Sequence, residues 1–164
     1  MRLVPYVALL ALAAGPIAAD EHGLVEFKML APASAVAIAQ GALKSCQDSG
    51  FQVAVAVVDR MGVPQAMIRD RFAGPHTPDT AVRKAWTAVS FREDTVALSE
   101  NTGPGSPQAG ARQIRRALML GGGVPVEVAG SIVGGVGVSG APTGADDHAC
   151  ALAGIEAVQA DLEL

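Results

Sequence analysis

The stretch from Gly121 to Gly140 constrains the fold more than any other part of this chain. Two runs rich in valine flank an Ala-Gly pair at 129–130, and glycines recur inside the second run. Valine and isoleucine suit a pleated sheet, and glycine permits the positive φ of a tight turn. The pattern therefore predicts a β-hairpin.

The interior glycines of this hairpin, Gly134, Gly135 and Gly137, need a separate explanation. A glycine weakens a strand unless another backbone or a ligand has to approach it closely. Two interpretations follow: either a helix packs on the bare strand, or a flat ligand lies on it. The three glycines are thus candidate ligand-binding positions, with helix packing as the alternative.

Composition limits the chain to a single small domain. It has 164 residues, which is enough for one hydrophobic core. Half of the residues are hydrophobic but only 4% are aromatic, so alanine, valine and glycine must fill the interior. The formal net charge of −4 argues against a nucleic-acid-binding surface.

The N-terminus has the pattern of a secretory signal. Arg2 precedes an apolar run, Gly15-Pro16 breaks it, and small residues end it at Ala19. The pattern predicts a cleaved signal peptide over residues 1–19, a linker over 20–32 and one domain over 33–164. The mature protein is then periplasmic or secreted, without membrane association. An uncleaved anchor is the alternative, although the run is short for a membrane span.

The chain has two cysteines, Cys46 and Cys150. In an exported protein such a pair permits one disulfide, and two buried free thiols are the alternative. The residue pattern leaves both possibilities open.

Periodicity and turn residues predict an α+β fold. The expected order is helix, two strands, two helices, two strands and helix, which gives antiparallel hairpins flanked by helices. Ser34, Thr77 and a Thr143–Asp146 capping box are the expected helix caps. The segment 113–120 is ambiguous between helix and strand. The other predicted elements are a helix to about 47, strands 51–58 and 63–70, helices 77–91 and 93–101, the glycine hairpin, and a helix from 143 to the end.

Four segments in order resemble the GlcG/HbpS family, also called the haem-degrading or PduO C-terminal-like domain family. They are Ala-Val-Arg-Lys-Ala-Trp-Thr-Ala at 81–88, Gly-Gly-Val-Pro at 122–125, Gly-Gly-Val-Gly-Val-Ser-Gly at 134–140, and Asp-Asp-His-Ala-Cys-Ala at 146–151. The resemblance covers roughly residues 33 to 160. It implies a profilin-like antiparallel sheet flanked by helices, higher oligomers, and binding of haem or a corrinoid. It transfers no ligand residue to this chain.

Haem binding requires an iron ligand, an apolar slot and cations for the propionates. His76 and His148 are the candidate metal ligands, and an exposed polar role is the alternative for each. Lys84 and Arg83 are candidates for the propionates, with a solvated helix face as the alternative. Asp146 and Asp147 are expected to stabilise the N-terminus of a helix, and acid–base catalysis is the alternative role.

These observations support three functional hypotheses. The first is an exported protein that binds haem or another tetrapyrrole. The second is a haem-degrading enzyme, which needs a reductant and oxygen. The third is a non-catalytic homo-oligomeric accessory or sensor protein. The sequence has no P-loop, nucleophile elbow, dinucleotide fingerprint or zinc-ligand spacing.

Overall fold

The computed structural model describes Gly23 and residues 25–162. The predicted signal peptide, residues 1–19, lies outside this part. The predicted α+β fold and its order of elements are confirmed. Within the described residues, no helix is both long and apolar enough to cross a membrane. The elements are α1 Pro32–Asp48, β1 Ala54–Asp59, β2 Pro64–Arg69, α2 Thr77–Phe91, α3 Thr95–Asn101, a 3₁₀ helix Ala109–Gln113, β3 Gly123–Val128, β4 Ser131–Ser139, α4 Gly144–Glu156 and α5 Gln159–Leu162.

The four strands form one antiparallel sheet in the order β2-β1-β4-β3. The central strand β1 is buried on both faces, as its continuous apolar run predicts. The two outer strands each contain a proline, Pro64 in β2 and Pro125 in β3. Proline has no amide hydrogen to donate, which is why it is confined to edge strands or bulges.

Helices cover both faces of the sheet. On one face, α1 and α4 pack side by side over the larger side chains, including Val55 and Val57 of β1. On the other face, α2 packs over Ala54 and Ala56 through Ala81. Because these side chains are so short, α2 comes very close to the sheet.

The glycines of β4 are where α2 comes closest. A Cβ atom at Gly135 would lie 2.6 Å from Val89 Cγ2, and one at Gly137 would overlap the carbonyl oxygen of Ala81. Gly134 faces the opposite side, where a Cβ atom would lie 2.5 Å from Leu30 Cδ1. Helix packing therefore accounts for Gly135 and Gly137. A ligand on this surface would have to displace α2, so the packing does not support their interpretation as ligand-binding positions.

The turn of the predicted hairpin lies at Ala129 and Gly130. Both residues have positive φ, 48° and 74°. Two consecutive positive φ values characterise the type I′ turn, whose twist matches that of the flanking strands. The predicted hairpin is thus confirmed, with β3 and β4 as its strands.

Two of the three predicted helix caps are wrong. Ser34 lies inside α1, which begins after Ala31 with no side-chain cap. The Thr77 hydroxyl donates to the Gly74 carbonyl at 2.8 Å rather than capping α2. The capping box of α4, formed by Thr143 and Asp146, is confirmed.

The ambiguous segment 113–120 forms neither a regular helix nor a strand. Beyond the 3₁₀ helix it continues as an irregular turn in which Arg116 has φ 77°. Ala117 and Met119 of this segment pack with Leu98 of α3, which explains its apolar character.

The domain begins slightly earlier than predicted. Leu30, in the predicted linker 20–32, is 4% exposed and donates its N–H to the Val133 carbonyl at 3.2 Å. The packed domain therefore starts at about residue 30 rather than 33.

The two cysteines form a disulfide between α1 and α4. Cys46 and Cys150 have Cα atoms 5.5 Å apart, and their sulfur atoms are bonded. Of the two possibilities that the sequence left open, the structure shows the bridge.

Candidate functional site

A cleft of about 460 Å³ lies where the N-terminal half of α2, the end of β4 and the start of α4 meet. Arg83 and Lys84 of α2, the candidate partners of the propionates, line it together with His76, which directly precedes the helix. Ser139 contributes from the end of β4, and Asp147 from the first turn of α4. Three of the predicted site residues therefore share one cleft.

A buried ion pair forms the floor of this cleft. Lys84 Nζ lies 2.7 Å from Asp147 Oδ2, and the two side chains are 1% and 5% exposed. Nζ also donates to the Val138 carbonyl at 2.9 Å, while Asp147 Oδ1 accepts the Ala141 N–H at 2.9 Å. The pair thus joins α2 on one face of the sheet to α4 on the other, through the end of β4.

Burial dominates the electrostatics of this pair. Desolvation lowers the pKa of Lys84, and the nearby Asp147 carboxylate opposes that shift. Desolvation likewise raises the pKa of Asp147, and the Lys84 ammonium opposes it. The charged form of either group would be strongly unfavourable in this buried position without the opposite charge of the other. Lys84 is neither on a solvated helix face nor an uncompensated cation for a ligand, because Asp147 already neutralises it.

Glycines make room for the pair. Gly122 has φ 116°, and a Cβ atom there would lie 2.6 Å from Asp147 Cβ and 3.0 Å from Lys84 Nζ. A Cβ atom at Gly121 would lie 2.8 Å from the Gly144 carbonyl oxygen. Sequence reasoning missed Asp147 as the partner of Lys84. The available signal was a lysine among alanines, which needs a carboxylate if its helix face is buried.

His76 is the exposed titratable group at the mouth of the cleft. Its ring lies against the backbone of Gly74, where a Cβ atom would be 2.7 Å from Cε1. No group in the described part of the chain forms a hydrogen bond with the ring, so both ring nitrogens are available. A neutral imidazole nitrogen is a common ligand for iron in haem proteins.

Arg83 crosses from α2 to the segment that follows the 3₁₀ helix. Its side chain donates to the Ala117 carbonyl at 3.2 Å and to the Arg116 carbonyl at 3.4 Å. These contacts orient the guanidinium beside the cleft, and its other N–H groups can still bind an anion.

His148 does not line this cleft. It lies on α4 with Nδ1 4.0 Å from Asp94 Oδ1, too far for a hydrogen bond. Asp94 instead caps α3 by accepting the N–H groups of Val96 and Ala97. The structure therefore does not bring the two candidate histidines to one site. Residues 25–162 also contain no group of three or more His, Cys, Asp or Glu side chains that could hold a metal ion.

The fold and the cleft define a class of protein: a helix-covered antiparallel α+β domain with a cleft of small-molecule size at one end of its sheet. The chain belongs to the HbpS-like family, described as "Haem degrading protein HbpS-like", which matches residues 30–156. The resemblance noted in the sequence is thus confirmed.

Three solved structures are similar to this chain. HbpS of Streptomyces reticuli, crystallised as a double mutant, is 38% identical, with a TM-score of 0.77 over 88% of this chain and 97% of that one. Klebsiella pneumoniae ORFY is 26% identical, with a TM-score of 0.81 over 85% of this chain and 97% of that one. PduOC, crystallised as a complex with heme, is 27% identical, with a TM-score of 0.73 over 79% of this chain and 94% of that one.

Proposed function

We propose that this protein binds haem in the cleft at the end of β4, with His76 as the iron ligand and Arg83 as a partner of a propionate. The observation that carries the proposal is an exposed imidazole with free ring nitrogens in the same cleft as an oriented guanidinium. The volume of about 460 Å³ is in the range of small-molecule sites. The similarity to PduOC, whose structure is a heme complex, supports the choice of ligand.

The residues of the cleft have different roles in this proposal. His76 supplies the nitrogen donor, and Arg83 supplies a planar cation suited to a carboxylate. The Lys84–Asp147 pair positions the walls, because it holds the end of β4 and the start of α4 together. When bound, haem supplies an iron centre whose chemistry depends on its axial ligand and on the polarity around it.

We also propose that the protein works outside the cytoplasm. The pattern of residues 1–19 is that of a cleaved signal, and a structural disulfide persists mainly in oxidising compartments. Both features agree with a periplasmic or secreted location.

A hemin titration of the chain from residue 20 onward, followed by the Soret band, tests the proposal. We expect saturable binding by the native sequence. His76→Ala should weaken binding by more than about tenfold, because even the supporting partners of metal ligands change affinity by that much. His148→Ala is the matched control and should bind as the parent does. The absence of a saturable Soret shift, or the same binding by His76→Ala, would contradict the proposal.

Haem degradation is a second candidate, favoured by the description of the family that the chain matches. Ascorbate added to the hemin complex in air distinguishes the two functions. Loss of the Soret band with release of iron indicates degradation, whereas a stable band indicates binding alone.

Two further alternatives have their own measurements. A corrinoid ligand is tested by the same titration with cobalamin in place of hemin. A homo-oligomeric accessory role is tested by size-exclusion chromatography with light scattering, and a monomer would weigh against it.

A further inference from the structure

A second cleft, of about 470 Å³, lies at the other end of α2. The turn after β1, the turn between β3 and β4, and the C-terminal end of α2 enclose it. The helix has 15 residues, so its two ends are about 22 Å apart and the two clefts are separate. Arg60 and Arg92 line this second cleft together with Ser90, Ser131 and a single acid, Glu127.

The two arginines share the second cleft, and no described residue is an acceptor for either guanidinium. In the described part of the chain, neither guanidinium donates a hydrogen bond or forms an ion pair, not even with Glu127. Three of the other described arginines donate to backbone carbonyls, as Arg69 does to Ala73 at 2.6 Å, and three do not. What distinguishes Arg60 and Arg92 is that they line the same cleft. Each guanidinium has five N–H donors in a planar fork that matches carboxylate and phosphate oxygens.

The backbone of Arg92 adds a second, independent observation. Arg92 ends α2 with φ 57°, in the left-handed region that normally selects glycine. A side chain in this conformation is unfavourable, and such positions are concentrated at functional sites. In the described structure, the Arg92 side chain makes no hydrogen bond or ion pair that would offset this strain.

The Arg60 guanidinium is already held in position. It lies over the Phe27 ring at 4.4 Å from the centroid, a cation–π contact that restricts its movement. A cation fixed in this way loses less conformational freedom when it binds an anion.

We propose that the second cleft binds a small molecule through an oxyanion, either a carboxylate or a phosphate, held by Arg60 and Arg92 with the hydroxyls of Ser90 and Ser131. The site is independent of haem binding. Its positive lining belongs to a chain whose formal net charge is −4, so general attraction of anions by the whole protein does not account for it.

Calorimetric titration of the haem-free protein with inorganic phosphate and, separately, with succinate tests this site and identifies the oxyanion. We expect saturable binding of at least one of the two. Arg92→Gly should weaken that binding by about tenfold or more, since hydrogen bonds between charged groups contribute that much. It should also raise the melting temperature, because glycine adopts the left-handed conformation without strain. Arg60→Gln should lose a similar amount of affinity.

Arg115→Gln is the matched control, since Arg115 is exposed and lines neither cleft. Its anion binding should equal that of the parent. Hemin binding should be unchanged in all three variants, which separates this proposal from the first. Lack of saturable binding of both anions would overturn the proposed site. Unchanged anion binding by a folded Arg92→Gly or Arg60→Gln variant would do the same.

Discussion

Two lysine–aspartate pairs in this chain have similar geometry and very different surroundings. Lys44 and Asp48 lie 2.6 Å apart on α1, with side chains 73% and 65% exposed. Lys84 and Asp147 lie 2.7 Å apart and are almost completely buried. Water solvates and screens the first pair, so it contributes little to stability. The second pair has lost its water, and each charge depends on the other.

We therefore expect the buried pair to be strongly coupled. Lys84→Met or Asp147→Leu alone should lower the free energy of unfolding by about 3–5 kcal/mol, because each leaves a buried charge without its partner. The double variant should lose less than either single variant, about 2 kcal/mol, because only the Val138 carbonyl and the Ala141 N–H lose partners. Urea unfolding of the four proteins measures the coupling.

The exposed pair provides the control for this cycle. Lys44→Met, Asp48→Leu and their combination should each change the free energy of unfolding by less than about 1 kcal/mol. If the losses of the two buried variants simply added in the double variant, the pair would not be coupled.

The limits of sequence reasoning are clearest at this scale. Lys84 is a recognisable candidate, because a lysine among alanines on a helix that packs against a sheet needs compensation. Its partner lies 63 positions away on another helix, and acids at a helix N-terminus are common without any such role. The pairing depends on tertiary packing that no local pattern contains. For the same reason, the sequence could not show that His76 and His148 lie apart.

At the scale of elements, the contact between α2 and β4 determines the interior of the domain. Gly137 of β4 faces the backbone of α2, which has no side-chain end that could move aside, whereas Gly135 faces the Val89 side chain and the Ala85 carbonyl oxygen. The helix can lie this close only because the strand is bare.

We predict that Gly137→Ala lowers the free energy of unfolding by about 3 kcal/mol, since overpacking of a rigid contact costs that much. Gly110→Ala is the control, because a Cβ atom there would meet nothing within 4 Å. Thermal and urea unfolding measure both variants. A Gly137→Ala protein as stable as its parent but unable to bind hemin would instead favour a ligand on the glycine surface.

The elements themselves are largely predictable, because their signals are local. The hairpin follows from valine runs around Ala129-Gly130, and helix 77–91 has the bounds that its periodicity predicts. Segment 113–120 is the exception. Its apolar residues pack against α3 without regular hydrogen bonding, so neither helical nor strand periodicity describes it.

At the scale of the whole molecule, the disulfide links the first long helix to the last. Cys46 and Cys150 are 104 positions apart and are 0% and 3% exposed. A crosslink over so long a loop strongly restricts the unfolded chain.

We predict that Cys46→Ala/Cys150→Ala lowers the free energy of unfolding by about 5 kcal/mol, as the loop-entropy relation indicates for this loop length. Urea unfolding under oxidising and reducing conditions measures the effect, and the double variant should not respond to the reductant. A thiol titration in denaturant should detect no free thiol before reduction and two afterwards. Two free thiols in the unreduced protein would contradict the bridge.

The prolines of the two outer strands have a consequence for how copies of the protein can associate. Pro64 and Pro125 each interrupt the row of amide hydrogens that an incoming strand would need. Continuous sheets that run from one molecule into the next are therefore disfavoured at both edges, and with them fibrillar growth. A homo-oligomer of this chain would instead be built from side-chain contacts between helices and loops.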